Sequence, residues 1–230
     1  MKAFNLELPG KEILTANARP YDCDDCYDRK WVTQDDGSVE RCSCYRNQFA
    51  VARGVPKKFR TANFKTWKPN PMVRHAIAAG RTLVEEGVDH ELDMYLFGPT
   101  GTGKTRLAAT LCNEWSWRYQ NGLFQRVGPM LKALQPSNDN ASDLPGLVLS
   151  VPLLVLDDFG AERWQATDYT SRTLLELYEH RHDEGLVTVF SSNLAPDEIR
   201  DFMGDDRLMS RIAGQCQLVE MAGDDWRASL

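Results

Sequence analysis

The octapeptide Gly98-Pro99-Thr100-Gly101-Thr102-Gly103-Lys104-Thr105 ends in a lysine and a hydroxyl. It follows the apolar run Met94-Tyr95-Leu96-Phe97 and precedes a helical pattern. That is the strand–loop–helix setting in which G-x-x-x-x-G-K-[ST] binds phosphate. Backbone N–H groups in such a loop surround anionic oxygens, and the following helix start adds partial positive charge. Gly98, Pro99, Thr100, Gly101, Thr102, Gly103, Lys104 and Thr105 are therefore the candidate nucleotide-binding residues. Lys104 is expected to reach the β- and γ-phosphates, and the Thr105 hydroxyl to ligate Mg²⁺. A second half of the site follows in Leu153-Leu154-Val155-Leu156-Asp157-Asp158, four apolar residues ending in two carboxylates. The pattern predicts a buried parallel strand with its acids at the carboxyl end, where open α/β sheets place ligands. Asp157 would hold Mg²⁺ through water and Asp158 would polarise an attacking water. The bland alternative is a glycine-rich turn beside an unrelated buried strand, and the order and spacing of both halves weigh against it.

A second cluster has metal-ligand spacing. Cys23-x₂-Cys26 and Cys42-x-Cys44 are separated by fifteen residues, and thiolates so spaced can converge on one tetrahedral Zn²⁺. Lys30–Thr33 and Ser38–Arg41 flank Asp35-Asp36-Gly37, which predicts a short hairpin with an Asp-Gly turn. A disulfide framework is the alternative, disfavoured in a cytosolic setting. A segment of some 40 residues has too little core to fold alone, and a metal would supply the deficit. Cys112 and Cys216 fall in predicted core elements and read as small buried hydrophobes.

Charge is uneven along the chain. The net charge is −6, yet residues 41–81 carry 10 basic side chains and no Asp or Glu. The patch points to an anionic partner, nucleic acid above all, with a solvated linker facing the acidic remainder as the bland reading. The N-terminus shows no apolar segment of signal-peptide length, and no apolar stretch approaches the roughly 20 residues of a membrane span, so a soluble cytoplasmic protein is expected.

The elements that must position these groups follow from periodicity. Helices are expected over 72–86, 104–120, 130–134, 167–184, 196–203 and 205–213. Strands are expected over 91–97, 123–127, 151–157, 186–191 and 217–221. Residues 135–145 read as a polar loop, and the prolines in 47–70 argue against one continuous helix there. Alternating strands and helices give an α/β fold, a parallel sheet flanked by helices. The expected divisions are an N-terminal zinc module at 1–46, a basic connector at 47–70 and a nucleotide-binding domain at 71–230. Asn193, after the strand ending Ser191-Ser192, either contacts the γ-phosphate and its attacking water or caps the next helix. Arg207 and Arg211 share one helix face and either enter a neighbouring subunit's nucleotide site or lie on the surface. The four histidines form no ligand pattern and read as surface residues.

Several segments carry a resemblance. Leu154 to Arg163, Ser191-Ser192-Asn193-Leu194, Arg207-Leu208-Met209-Ser210-Arg211 and Gly223-Asp224-Asp225-Trp226-Arg227 resemble the DnaC-type helicase loaders, AAA+ ATPases of the DnaC/IstB-like group. The resemblance covers about residues 55–230, and the leading cysteines resemble the zinc module on several such loaders. It implies an AAA+ P-loop core with no C-terminal lid domain, and a nucleotide-gated switch using ATP, Mg²⁺ and Zn²⁺. It implies binding of the replicative helicase through the N-terminal module, and self-association through the ATPase domain on single-stranded DNA. Carried over by motif, Asn193 senses the γ-phosphate, Arg211 is the trans-acting finger, and Arg227 is a nucleotide-responsive arginine. Phe64 and Trp67 occupy the segment that packs near the adenine. Related ATPases often end the acidic strand in Asp-Glu, and the shorter Asp157-Asp158 implies slow turnover. Lys57, Lys58, Arg60 and Lys65 are the candidate DNA contacts.

Two other functions compete. A transposition helper ATPase would polymerise on double-stranded DNA, and the zinc module disfavours it because those proteins usually begin with a helical domain. A non-hydrolytic adaptor would only bind ATP and partners, and the intact Asp157-Asp158, Asn193 and Arg211 weigh against it.

Overall fold

The computed structural model describes residues 23–27, 29–42, 44, 53–67, 71–90, 92–119, 121–135, 143–161, 168–203 and 206–223. The chain divides into two compact units, Met1–Tyr45 and Arg46–Leu230. In the first, strands β1 (Trp31–Thr33) and β2 (Val39–Arg41) pair antiparallel, with Thr33 opposite Val39. The Asp-Gly turn forms as the pattern predicts: Gly37 takes a φ of 82°, and the Asp36 carboxylate accepts from the Ser38 amide at 2.9 Å.

The second unit follows the expected alternation. Helix α1 (Arg74–Glu86) precedes β3 (Asp93–Phe97), α2 (Lys104–Tyr119) and β4 (Gly122–Arg126). Next come α3 (Val127–Ala133), α4 (Leu144–Ser150), β5 (Leu153–Phe159), α5 (Asp168–Asp183) and β6 (Val187–Ser192). Then α6 (Pro196–Met203), α7 (Asp206–Gln215) and β7 (Cys216–Glu220) complete the unit. The five strands form one parallel sheet in the order β4-β5-β6-β3-β7.

The period of two along each strand divides the core. On β5, Leu153 and Val155 face one layer while Leu154 and Leu156 face the other. The first layer holds Leu83 of α1 with Leu107, Leu111 and Trp115 of α2. The second holds Leu174 and Tyr178 of α5 with Leu208 and Ile212 of α7. Both faces are covered, which is why the strands read as continuous apolar runs.

Helix α4 departs from expectation, since residues 144–150 fall partly in what reads as a loop. Its proline, Pro145, occupies the first turn, where no intrahelical N–H bond is lost. The same holds for Pro129 in α3, which starts three residues before the expected point. Residues 53–67 pack on the core of this unit. Val55 is buried within it, the Arg53 carbonyl accepts from the Phe124 amide at 2.8 Å, and Asn113 Nδ2 on α2 donates to the Phe59 and Ala62 carbonyls at 2.9 and 2.8 Å. His90, expected at the surface, has a side chain only 11% exposed and lies 2.5 Å from Glu86.

One buried charge ties these layers together. Arg181 on α5 is fully buried. Its guanidinium donates to the Val148 and Val151 carbonyls at 2.9 Å each, to the Val187 carbonyl at 2.7 Å and to the Thr188 hydroxyl at 3.0 Å. Arg181→Ala would leave those acceptors buried without donors. The expected loss is at least about 3 kcal/mol. Chemical denaturation of the variant checks this, and a shift within about 0.5 kcal/mol would refute the structural role.

Candidate nucleotide site and cysteine cluster

The strand order sets the carboxyl ends of β3, β5 and β6 side by side. The phosphate loop leaves β3 through Gly98, whose φ is 136°. A Cβ there would lie 2.4 Å from the Met221 carbonyl oxygen, so both backbone angle and space require glycine. The Leu107 amide bonds the Gly103 carbonyl at 2.9 Å and begins the helical ladder of α2. Lys104 is buried, and its ammonium donates to the Gly98 and Pro99 carbonyls at 2.7 and 2.6 Å. Thr102 Oγ1 closes the loop by donating to the Pro99 carbonyl at 3.0 Å.

The two acids of β5 differ in burial. Asp157 is fully buried, while the Asp158 side chain is 47% exposed. The pairing of β5 with β6 shifts register between Leu156 and Phe159, and Asp158 takes a φ of 59°. That left-handed conformation is open to Asp more than to most side chains. Asp157 Oδ1 accepts from Ser191 Oγ on β6, whereas its buried Oδ2 has no hydrogen-bond partner. Burial pushes the Asp157 carboxyl up from the usual range, the Ser191 hydrogen bond opposes this, and the neighbouring Asp158 charge adds to it. An orphaned buried carboxylate oxygen close to the Thr105 hydroxyl suits a hard cation with oxygen ligands. The donor set therefore fits Mg²⁺ and a polyphosphate.

Thr100, Gly101, Gly103, Lys104 and Thr105 line a cavity of about 450 Å³ together with Asp158 and Asn193. The expected phosphate-loop and strand-end residues thus meet in one place. At the start of α6, the Ala195 amide is accepted by Glu198 Oε2 at 2.7 Å, and Asn193 faces the cavity. Sequence reasoning missed Arg126 here. It ends β4 directly opposite Asp157, with Nε 4.0 Å from Asp157 Oδ2 and 3.8 Å from Asp158 Oδ2. A basic residue closing the strand paired to the acidic one was the available signal. Lys58 and Phe59 also line the cavity, although Lys58 reads from sequence as a DNA contact.

Arg211 sits elsewhere. Its Nε lies 3.4 Å from Glu179 Oε1, and with Arg207 it lines a shallow depression of about 520 Å³ between α5 and α7. It is not among the residues lining the phosphate-loop cavity of its own chain. Trp67 packs against the other side of the phosphate loop: a Cβ on Gly103 would lie 3.4 Å from its ring. Trp67 Nε1 donates to Thr110 Oγ1 at 3.2 Å, and the Arg106 guanidinium sits 4.6 Å above its ring. Phe64 is buried under Arg81. Arg227 lies outside the described residues, as do residues 224–226 and 162–163 of the resembling segments.

In the N-terminal unit the sulfurs of Cys23, Cys26, Cys42 and Cys44 all lie within 4.8 Å of one another. Cys23 and Cys42 approach to 3.6 Å and Cys26 and Cys44 to 3.4 Å, contacts far longer than a disulfide of about 2.05 Å. A tetrahedral zinc with Zn–S near 2.3 Å sets its sulfurs about 3.8 Å apart, so the cluster has the dimensions of a four-thiolate site. Burial and the neighbouring thiols push Cys44 up to about 12 without a cation. A bound dication reverses that preference and deprotonates its ligands. Cys112 and Cys216 are buried as expected.

Comparison with known proteins agrees with this geometry. A family model described as IstB-like ATP binding protein matches residues 77–229. The chain is 32% identical over 111 residues to the replicative helicase loader DnaI of Bacillus subtilis, covering 46% of this chain and 35% of that one. It is 27% identical over 143 residues to the replicative helicase loader DnaC of Escherichia coli K12, covering 60% of this chain and 57% of that one. The chain thus spans about a third to somewhat over half of these curated relatives. The crystal structure of the DnaC helicase loader superposes with a TM-score of 0.64 at 22% identity over 73% of this chain and all of that one, a likeness of fold. With its phosphate loop, its acid-ended strand and a family match across most of the nucleotide-binding unit, the chain belongs to the IstB-like ATP binding proteins.

Proposed function

We propose that this protein is an ATP-dependent loader of a replicative DNA helicase, acting in the cytoplasm on single-stranded DNA. The observation that carries the reading is the junction of Lys104, Thr105, Asp158 and Asn193 at one cavity, with Asp157 bonded to Ser191 of its lining, in a chain similar to two helicase loaders. Those relatives favour the loader over a transposition helper. An intact acid pair favours hydrolysis over a purely binding adaptor.

ATP and Mg²⁺ would be held by this chain's own groups. The loop amides of 98–105 and Lys104 would bind the phosphates, and Thr105 with Asp157 would hold the cation, which supplies charge neutralisation at the phosphates. Asp158 is free of the Ser191 bond that restrains Asp157, and it faces the cavity, where it can accept a proton from water. Asn193 would contact the γ-phosphate. Arg211 would serve the neighbouring subunit's site, since it borders a different depression from its own cavity, and Arg227 would add a nucleotide-responsive contact. Hydrolysis by a lone subunit would accordingly be slow. The four-thiolate cluster would hold one Zn²⁺, and the module built on it would engage the helicase.

Loading is tested by delivery of the replicative helicase onto single-stranded DNA, measured as strand unwinding. Lys104→Ala should abolish nucleotide binding and delivery. Asp158→Asn should bind ATP normally and lose hydrolysis. Wild-type hydrolysis by Asp158→Asn would remove it as the water-activating residue, and helicase delivery equal with and without the chain would end the loader reading.

One zinc per chain is expected by elemental analysis. Apparent binding energies at such sites run to roughly 10–16 kcal/mol, so chelation should unfold the hairpin module and leave the ATPase unit folded. Protein purified without chelator and free of zinc would rule the site out.

Arg211→Ala should bind ATP and lose turnover by roughly 10³–10⁵-fold, the range of established arginine fingers. Mixed on DNA with Lys104→Ala subunits, which keep their arginine, it should regain activity that neither variant has alone. No rescue would mean that each site is complete within one chain.

A further inference from the structure

The segment Gly54–Arg60 runs over the outer edge of β4 and onto α2, and it does more than connect. The Arg53 carbonyl is bonded to the Phe124 amide, Val55 is buried in the core, and the Phe59 and Ala62 carbonyls are held by Asn113. The Phe64 amide further donates to Glu114 Oε1 at 3.0 Å. These anchors lie on both sides of a single turn of 3₁₀ helix, Lys57–Phe59, whose middle residue is exposed and lines the phosphate-loop cavity.

Met221 and Trp67 crowd Gly98 and Gly103 of the phosphate loop. Thr105, Arg126, Asp158 and Asn193 line the cavity, and Lys58 lines it with them. The other cations there are engaged: Lys104 donates to two loop carbonyls, Arg126 lies by the two acids, and Arg106 donates to the Thr66 carbonyl at 2.8 Å while covering Trp67. Lys58 has no carboxylate partner among the described residues. Its ammonium lies 4.7 Å from the Phe59 ring centre, a weak contact that an anion would outcompete.

We infer that Lys58 is a binding residue for the terminal phosphate of ATP. The inference rests on the cavity being the ATP site. Charge supports the assignment: a triphosphate adds an anionic group to the cavity that Lys58 lines with Asp158 and Asn193, where an ammonium without a carboxylate partner gains a charge-assisted hydrogen bond. A diphosphate lacks that group.

Titration calorimetry of the full chain with Mg·ATP and Mg·ADP tests this, using Lys58→Gln and Lys58→Arg. Lys58 is exposed, so neither substitution should alter the fold. Lys58→Gln should weaken ATP about 10-fold and change ADP less than about 2-fold, and Lys58→Arg should restore most of the loss. A second readout is trypsin cleavage after Lys57, a site kept in both variants. A non-hydrolysable ATP analogue should slow it in the unaltered chain and not in Lys58→Gln, while ADP should protect neither. Equal loss of ATP and ADP affinity, or unchanged ATP affinity with weakened binding of an oligo-dT strand, would overturn the inference, the latter returning Lys58 to DNA contact. Failure of the unaltered chain to bind ATP would instead sink the nucleotide reading, and the inference with it.

Discussion

The register of β5 against β6, broken once after Leu156, sets the surroundings of the two acids at the candidate site. Two adjacent residues on a regular strand already point to opposite faces, but both would then lie in packed layers. The left-handed turn at Asp158 lifts its carboxylate out of the sheet and leaves Asp157 under it. A backbone conformation of this kind costs energy, and it persists because the strands on either side hold it. Two identical side chains thereby receive different environments. One is buried, hydrogen-bonded and biased toward protonation until a cation is present. The other is half-exposed and faces the cavity.

The surroundings of that pair follow the same logic of paired strand ends. Parallel strands place their carboxyl termini on one edge, so β3 supplies the phosphate loop, β5 the acids, β6 the serines and Asn193, and β4 supplies Arg126. At 3.8–4.0 Å from the two acids, Arg126 offsets some of the negative charge that two adjacent carboxylates concentrate at one strand end. The buried Arg181 plays the corresponding part at the amino end of β6. It satisfies carbonyls where α4 ends and β6 begins, with Asp93 as its nearest buried countercharge.

The two units are stabilised by different means. The larger has two apolar layers around a five-stranded sheet. The smaller has a hairpin of two three-residue strands and a cluster of sulfurs, with Val32 packed against it. A module that small lacks the buried area to offset its chain entropy, which is the physical case for metal as its core.

Local patterns were sufficient for whatever depends on neighbours in sequence. The glycine spacing of 98–105, the acids closing 153–158, the Asp-Gly hairpin, the cysteine spacing and the helical period of 104–119 each encode their structure within a few residues. Helices α3 and α4 were only partly legible, because a proline in the first turn looks locally like a break. The tertiary structure alone decided which residues from distant segments share a cavity. Lys58, Arg126 and Asp158 come from three separate stretches, and only strand order and the packing of 53–67 bring them together. The different surroundings of Asp157 and Asp158 were likewise invisible in the sequence. They depend on how β5 pairs with β6, and hydrogen-bond register between strands is a property of the pair, which neither strand carries by itself.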